Sequence, residues 1–128
     1  DMQNLHIPAT SYSPQVDFDF ARHQLSLRGE SYPENASVFF APIMAALDAY
    51  LAPLDHVRIT VDVQLAYFNS ASTKAILALF ERLNEAAVAG NYVTVNWHSD
   101  PDDDTIMEFG QEIAEDNPAL DVHLLELA

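Results

Sequence analysis

Three aliphatic hydroxyls, Ser70, Ser72 and Thr73, crowd into the string YFNSASTK from Tyr67 to Lys74, with Asn69 directly ahead of them. The string lies where an alternating apolar stretch gives way to a helical one. Its plainest role is to cap that helix, because Ser and Asn side chains satisfy N–H groups that a first turn leaves unpaired. The same position suits a second chemistry. A phosphate on Ser70 would bring about two negative charges to the positive end of a helix dipole, next to free N–H groups and Lys74. The surroundings favour this reading: the chain has 20 acidic residues, yet none between Val63 and Phe80, and Lys74 is the only charge in that window. A partner fitted to so neutral a patch would meet a dianion once Ser70 was phosphorylated.

Other groupings offer less. The acidic run Asp100, Asp102, Asp103 and Asp104 has the residue type that hard cations want. An EF-hand loop starting at Asp100 would need Gly at Thr105 and a carboxylate at Gln111, and neither is present. A helix start accounts for the run better, with Asp100 as cap, Pro101 in the first turn and Asp102 to Asp104 favoured by the dipole. His98-Ser99-Asp100 holds the residue types of a hydrolase triad, but sequence neighbours cannot form its relay, so it reads as loop. Histidines at 6, 23, 56, 98 and 123 lack the spacing of a helical metal pair. Glu108, Glu112 and Glu115 mark a solvated helix face. With three glycines and no phosphate loop, dinucleotide fingerprint or nucleophile elbow, no cofactor or catalytic residue is indicated.

The balance of 20 acids against 5 Lys and Arg gives a formal net charge of −15. Nucleic acid is bound by exchanging counterions for Lys and Arg, and no basic cluster exists to do that. An anionic membrane surface is disfavoured for the same reason. No stretch approaches the length of a membrane span, and the start DMQNLHIPATSYS lacks the pattern of a secretory leader, so the expected location is cytoplasmic. Asp1 ahead of Met2 reads as an added residue. The absence of cysteine excludes disulfides, zinc–thiolate sites and thiol catalysis. A chain of 128 residues, 49% hydrophobic, fits one globular domain spanning 1–128, with loose residues only in the first dozen.

Several elements must position the hydroxyl string. PQVDFDF and QLSLRGE alternate apolar and polar residues around Ala21, Arg22 and His23, and read as an N-terminal hairpin. Residues 5–9 could add an edge strand. Apolar residues from Phe39 to Leu51 recur at helical spacing after Asn35, although Pro42 should kink that helix or delay its start. Residues 57–65 form the clearest strand, with Val57, Ile59, Val61, Val63 and Leu65 on one face and Arg58, Thr60, Asp62 and Gln64 on the other. A polar second face means helices cover one side of the sheet only. A helix stripe runs through Ala75, Ile76, Leu79, Phe80, Leu83 and Ala87, and a returning strand at 92–97 should lie parallel to 57–65. A third helix from Pro101 to about Asp116 and a closing strand, Val122 to Leu127, follow. The fold class is α/β: a mixed sheet with about three helices mainly on one face.

Two strings carry more than pattern, GESYPENA at Gly29 to Ala36 and YFNSASTKAIL at Tyr67 to Leu77. With the HIPAT start and the Trp97-His98 pair, they resemble the SiaC family of bacterial regulatory phosphoproteins over nearly the whole chain. The resemblance implies a STAS-like fold, similar to anti-sigma factor antagonists, with the phosphoacceptor directly after the Asn of the Y-F/L-N-T/S motif, at Ser70. Relatives often carry Thr there, which bears on kinase preference. It further implies a cognate anti-sigma-factor-like serine/threonine kinase and a PP2C-like phosphatase. The unphosphorylated form would activate a diguanylate cyclase, raising cyclic di-GMP and favouring biofilm. Tyr32, Glu34 and Asn35 could simply turn and cap the first helix. If both helix heads lie at one end of the sheet, these residues would join Asn69, Ser72, Thr73 and Lys74 in a partner surface. Two readings compete: a small enzyme using a metal at Asp100 to Asp104, and a ligand-binding module with a pocket lined by Phe68, Tyr92 or Trp97.

Overall fold

The computed structural model describes residues 3–128; Asp1, Met2 and the reading of Asp1 as an added residue lie outside it. Six strands form one sheet in sequential order: β1 (Leu5–Ile7), β2 (Gln15–Asp19), β3 (Gln24–Ser31), β4 (Arg58–Phe68), β5 (Tyr92–Ser99) and β6 (Asp121–Glu126). The first three pair antiparallel and the last four parallel. Helices α1 (Ala36–Leu51), α2 (Ser70–Val88) and α3 (Asp104–Asp116) carry the parallel connections. Such crossovers are right-handed, and three in succession moving the same way across a sheet put all three helices on one face.

The sheet's inward residues show which face that is. Val16, Phe18, Leu25, Leu27, Ile59, Val61, Val63, Val93, Val95 and Trp97 are buried against Phe40, Ile43 and Leu47 of α1, Ile76, Leu79, Phe80 and Leu83 of α2, and Ile106 and Ile113 of α3. The opposite face is open to water and polar. There Asn96 Nδ2 donates to Asp62 Oδ1 (3.0 Å), His98 lies 3.7 Å from the same carboxylate, and the Arg58 guanidinium stands 5.5 Å from the Tyr92 ring centre. Uncharged apolar residues alternate with these because successive strand side chains point to opposite faces.

At the far end of the sheet from Ser70's helix head, the hairpin turns through a 3₁₀ segment, Phe20–Arg22, and His23 takes a left-handed backbone conformation (φ 56°). His23 Nδ1 meets the Tyr50 hydroxyl at 2.5 Å, and burial pushes the Tyr50 phenol up to about 12.

Several boundaries differ from the sequence expectation. Pro42 does not delay α1, which begins at Ala36; the carbonyl that loses its donor belongs to exposed Val38, where water can reach it. Strand β4 runs on past Leu65 to Phe68, and β5 past Trp97 to Ser99, so His98 and Ser99 are strand and not loop. The cap of α3 is Asp103, which accepts from the Ile106 N–H at 3.1 Å, while Asp100 accepts from the Asp102 N–H in the preceding turn. The first dozen residues are not loose throughout, since Leu5–Ile7 pair with β2. No helix among the described residues is long and apolar enough to cross a membrane.

Candidate functional site

β3 and β4 end side by side, with Ser31 in register with Phe68, and each then feeds a helix. The Asn69 N–H donates to the Ser31 carbonyl (3.0 Å), which fixes the start of α2 to the end of β3. Asn69 is the cap. Its Oδ1 accepts from the Ser72 N–H at 2.9 Å, and its carbonyl accepts from both the N–H (2.9 Å) and the hydroxyl (3.0 Å) of Thr73. Asn35 caps α1 in the same way, accepting from the Val38 N–H at 3.1 Å.

The three hydroxyls of the string are thereby separated in kind. Ser72 departs from the expectation that it faces a partner: it is fully buried and shares a 2.8 Å hydrogen bond with the equally buried Ser31 hydroxyl. Thr73 is half-buried and spends its hydroxyl on Asn69. Ser70, the first residue of α2, is exposed, and its hydroxyl bonds to none of the described residues. Lys74 is also exposed and lies four positions on, one turn along the same helix surface.

The segment around Tyr32 adjoins this helix head. The Tyr32 ring meets that of Tyr67 edge-on with centres 5.9 Å apart, its hydroxyl donates to the Ser11 carbonyl (2.7 Å), and its N–H donates to the Tyr12 carbonyl (2.7 Å). Glu34 is exposed beside the Asn35 cap. Sequence reading missed Ser31, Tyr12 and Tyr67. For Tyr67 a signal exists: the alternation of β4 breaks at Ala66, where the register with β3 slips by one residue.

The competing constellations do not assemble. His98 faces the open side of the sheet toward Asp62, while Ser99 is buried on the helix side, so a relay between them is impossible. Among the described residues no three His, Asp or Glu side chains converge to hold a metal, and Asp100 and Asp103 are engaged by backbone N–H groups. Phe68, Tyr92 and Trp97 do not line a common pocket. Trp97 is buried with its Nε1–H on the Ile106 carbonyl (2.8 Å), Phe68 packs on Phe109, and Tyr92 stands on the open face. A depression of about 780 Å³ beside Arg28, Gln64 and His98 and another of about 550 Å³ beside Phe20, Tyr50 and Leu54 contain none of the three.

Fold and site together define an open-faced α/β protein with an exposed, unengaged hydroxyl at the head of the helix that follows its longest strand. Known proteins of this build are close at hand. The family described as SiaC family regulatory phosphoprotein matches residues 7–127. An uncharacterized protein of Pseudomonas aeruginosa (strain UCBPP-PA14) is 34% identical over 119 residues, covering 90% of each chain. The crystal structure of apo-SiaC from Pseudomonas aeruginosa superposes with a TM-score of 0.84 at 31% identity, over 99% of this chain and 100% of that one. SiaC in complex with the diguanylate cyclase SiaD, whose activator it is in that organism, gives 0.88 at 30% identity, over 96% and 99%. The chain belongs to the SiaC family of regulatory phosphoproteins.

Proposed function

We propose that this protein is a non-enzymatic, cytoplasmic switch, phosphorylated on Ser70 by a cognate anti-sigma-factor-like serine/threonine kinase and restored by a PP2C-like phosphatase. The unphosphorylated form binds and activates a diguanylate cyclase, raising cyclic di-GMP and favouring biofilm formation. The observation that carries the reading is the contrast among the three hydroxyls: of these, only Ser70 is exposed with its hydroxyl bonded to none of the described residues, while Ser72 and Thr73 are bonded inward. Transfer from ATP forms the bond from Ser70 Oγ to the γ-phosphorus and breaks the bond to ADP, the hydroxyl proton passing to a base of the kinase. The product sits well on this helix. An anion at the first turn gains about 0.3–1 kcal/mol from the dipole, and Lys74 lies one turn away to meet it. The folded domain therefore tolerates phosphoserine, and the change is read at the surface by Asn69, Lys74, Tyr32, Glu34 and their surroundings.

The test is fragment mass spectrometry after incubation with ATP and the cognate kinase, with Ser70→Ala as control. One phosphate on Ser70, absent from the variant, is expected. Phosphate elsewhere, or an undiminished signal in the variant, would return Ser70 to being an ordinary first-turn residue.

A further inference from the structure

We infer that Tyr12, Tyr32 and Tyr67 form the anchor on which the diguanylate cyclase docks, an inference that rests on the switch proposed above. It begins with the irregularity in β4. Leu65 is buried, Ala66 and Tyr67 are both exposed, and Phe68 turns back to the helix side against Phe109. Two consecutive outward residues are what an inserted bulge residue produces, and bulges commonly re-aim side chains next to functional sites. Without the slip at Ala66, the strand's strict alternation would have sent Tyr67 inward.

The bulge brings Tyr67 onto Tyr32, and the two rings remain 50% and 40% exposed. Tyr12, 50% exposed, is tied to the same place by the backbone bond from Tyr32. The loop beneath it is held by Thr10, whose hydroxyl oxygen accepts from the Ser13 N–H at 2.9 Å. The Tyr32 hydroxyl is held by the Ser11 carbonyl and its ring by the edge-on contact with Tyr67, and exposed aromatic rings with two side-chain torsions make good interface anchors because little rotamer freedom is lost on docking. Ser70 shares their rigid mount. Tyr32 follows Ser31, which holds both Asn69 and Ser72, and Tyr67 stands two residues before Asn69.

Charge and lifetime select the occupant. The segment from Val63 to Phe80 holds no acid, so an apolar partner surface can cover it without burying a carboxylate of that segment. A kinase must release its product at every turnover, whereas an activator must stay bound, and the relative from Pseudomonas aeruginosa was crystallised on its cyclase. A dianion on Ser70 would have to be stripped of water beside these rings, so phosphorylation opposes docking on this surface.

The experiment measures binding and activation of the purified cognate cyclase by the full chain carrying Tyr67→Ala, with Tyr92→Ala as control, since Tyr92 is 60% exposed on the open face away from the helix head. Tyr67→Ala should weaken binding about tenfold or more, Tyr67→Phe and Tyr92→Ala should bind as wild type, and Ser70 phosphorylation should proceed at the wild-type rate. Hydrogen exchange at residues 66–69 of the unaltered protein should slow when the cyclase is added. Wild-type binding by Tyr67→Ala while Ser70→Glu fails to bind would overturn the anchor and keep the switch. Wild-type binding by both Ser70→Glu and Ser70→Ala would overturn the switch itself. Loss of phosphorylation with cyclase binding intact would give the surface to the kinase and also end the proposal.

Discussion

Ser70 and Ser72 are two positions apart, and that distance decides which of them can react. Two helical residues turn the chain through about 200°, so if Ser70 looks outward Ser72 looks in. The sequence contains this information: the inward stripe Ile76, Leu79 and Leu83, carried one turn back, lands on Ser72. Composition alone hides it, because a serine is as ordinary in a cap as in a core. What no sequence pattern supplied was Ser72's partner, Ser31, which lies 41 positions away and comes into reach only when β3 and β4 pair. The pair carries a measurable consequence. Ser72→Ala leaves the buried Ser31 hydroxyl without its partner and should cost about 1–3 kcal/mol in urea denaturation, whereas adding Ser31→Ala should recover part of that loss. If the double variant were less stable than the single by a further full increment, the two hydroxyls would not be acting as a pair.

Elements were legible in their interiors and illegible at their ends, for reasons that differ case by case. The alternation of Ile59, Val61, Val63 and Leu65 survives burial on one face and exposure on the other, so β4 could be read directly. Its last three residues could not, because the bulge at Ala66 breaks the period on which the reading depends. The start of α3 was ambiguous because four aspartates compete to cap it. Tertiary contact chooses Asp103, by extending β5 to Ser99 and leaving Asp100 and Pro101 in the turn. Gly110 was passed over as one of three glycines, yet it sets how closely α3 can approach the sheet. A Cβ there would lie 2.5 Å from Trp97 Cδ1 and 2.8 Å from Leu124 Cδ2. Gly110→Ala, normally favourable in a helix, should therefore destabilise this protein by about 1–3 kcal/mol. A gain in stability would mean that α3 can lift from Trp97 at no cost, and that the bond from Trp97 to the Ile106 carbonyl is not holding it.

At the scale of the whole molecule, sequential strand order made the topology readable, since each strand pairs with its neighbour in the chain. The lopsided charge acts at the same scale. A net charge of −15 on a chain of this length repels itself. Attraction is scarce on the same surface: Arg82 reaches Asp48 at 2.8 Å and Arg22 reaches Asp19 at 3.8 Å, and both pairs are partly or largely exposed, where an ion pair contributes about 0–1 kcal/mol. Repulsion among many carboxylates outweighs two such contacts, so screening should help the fold more than it harms it. Raising sodium chloride from about 0.01 M to about 0.15 M shortens the Debye length from about 30 Å to about 8 Å, and Tm should rise over that range. A falling Tm would mean that local ion pairs, and not net repulsion, dominate the electrostatics.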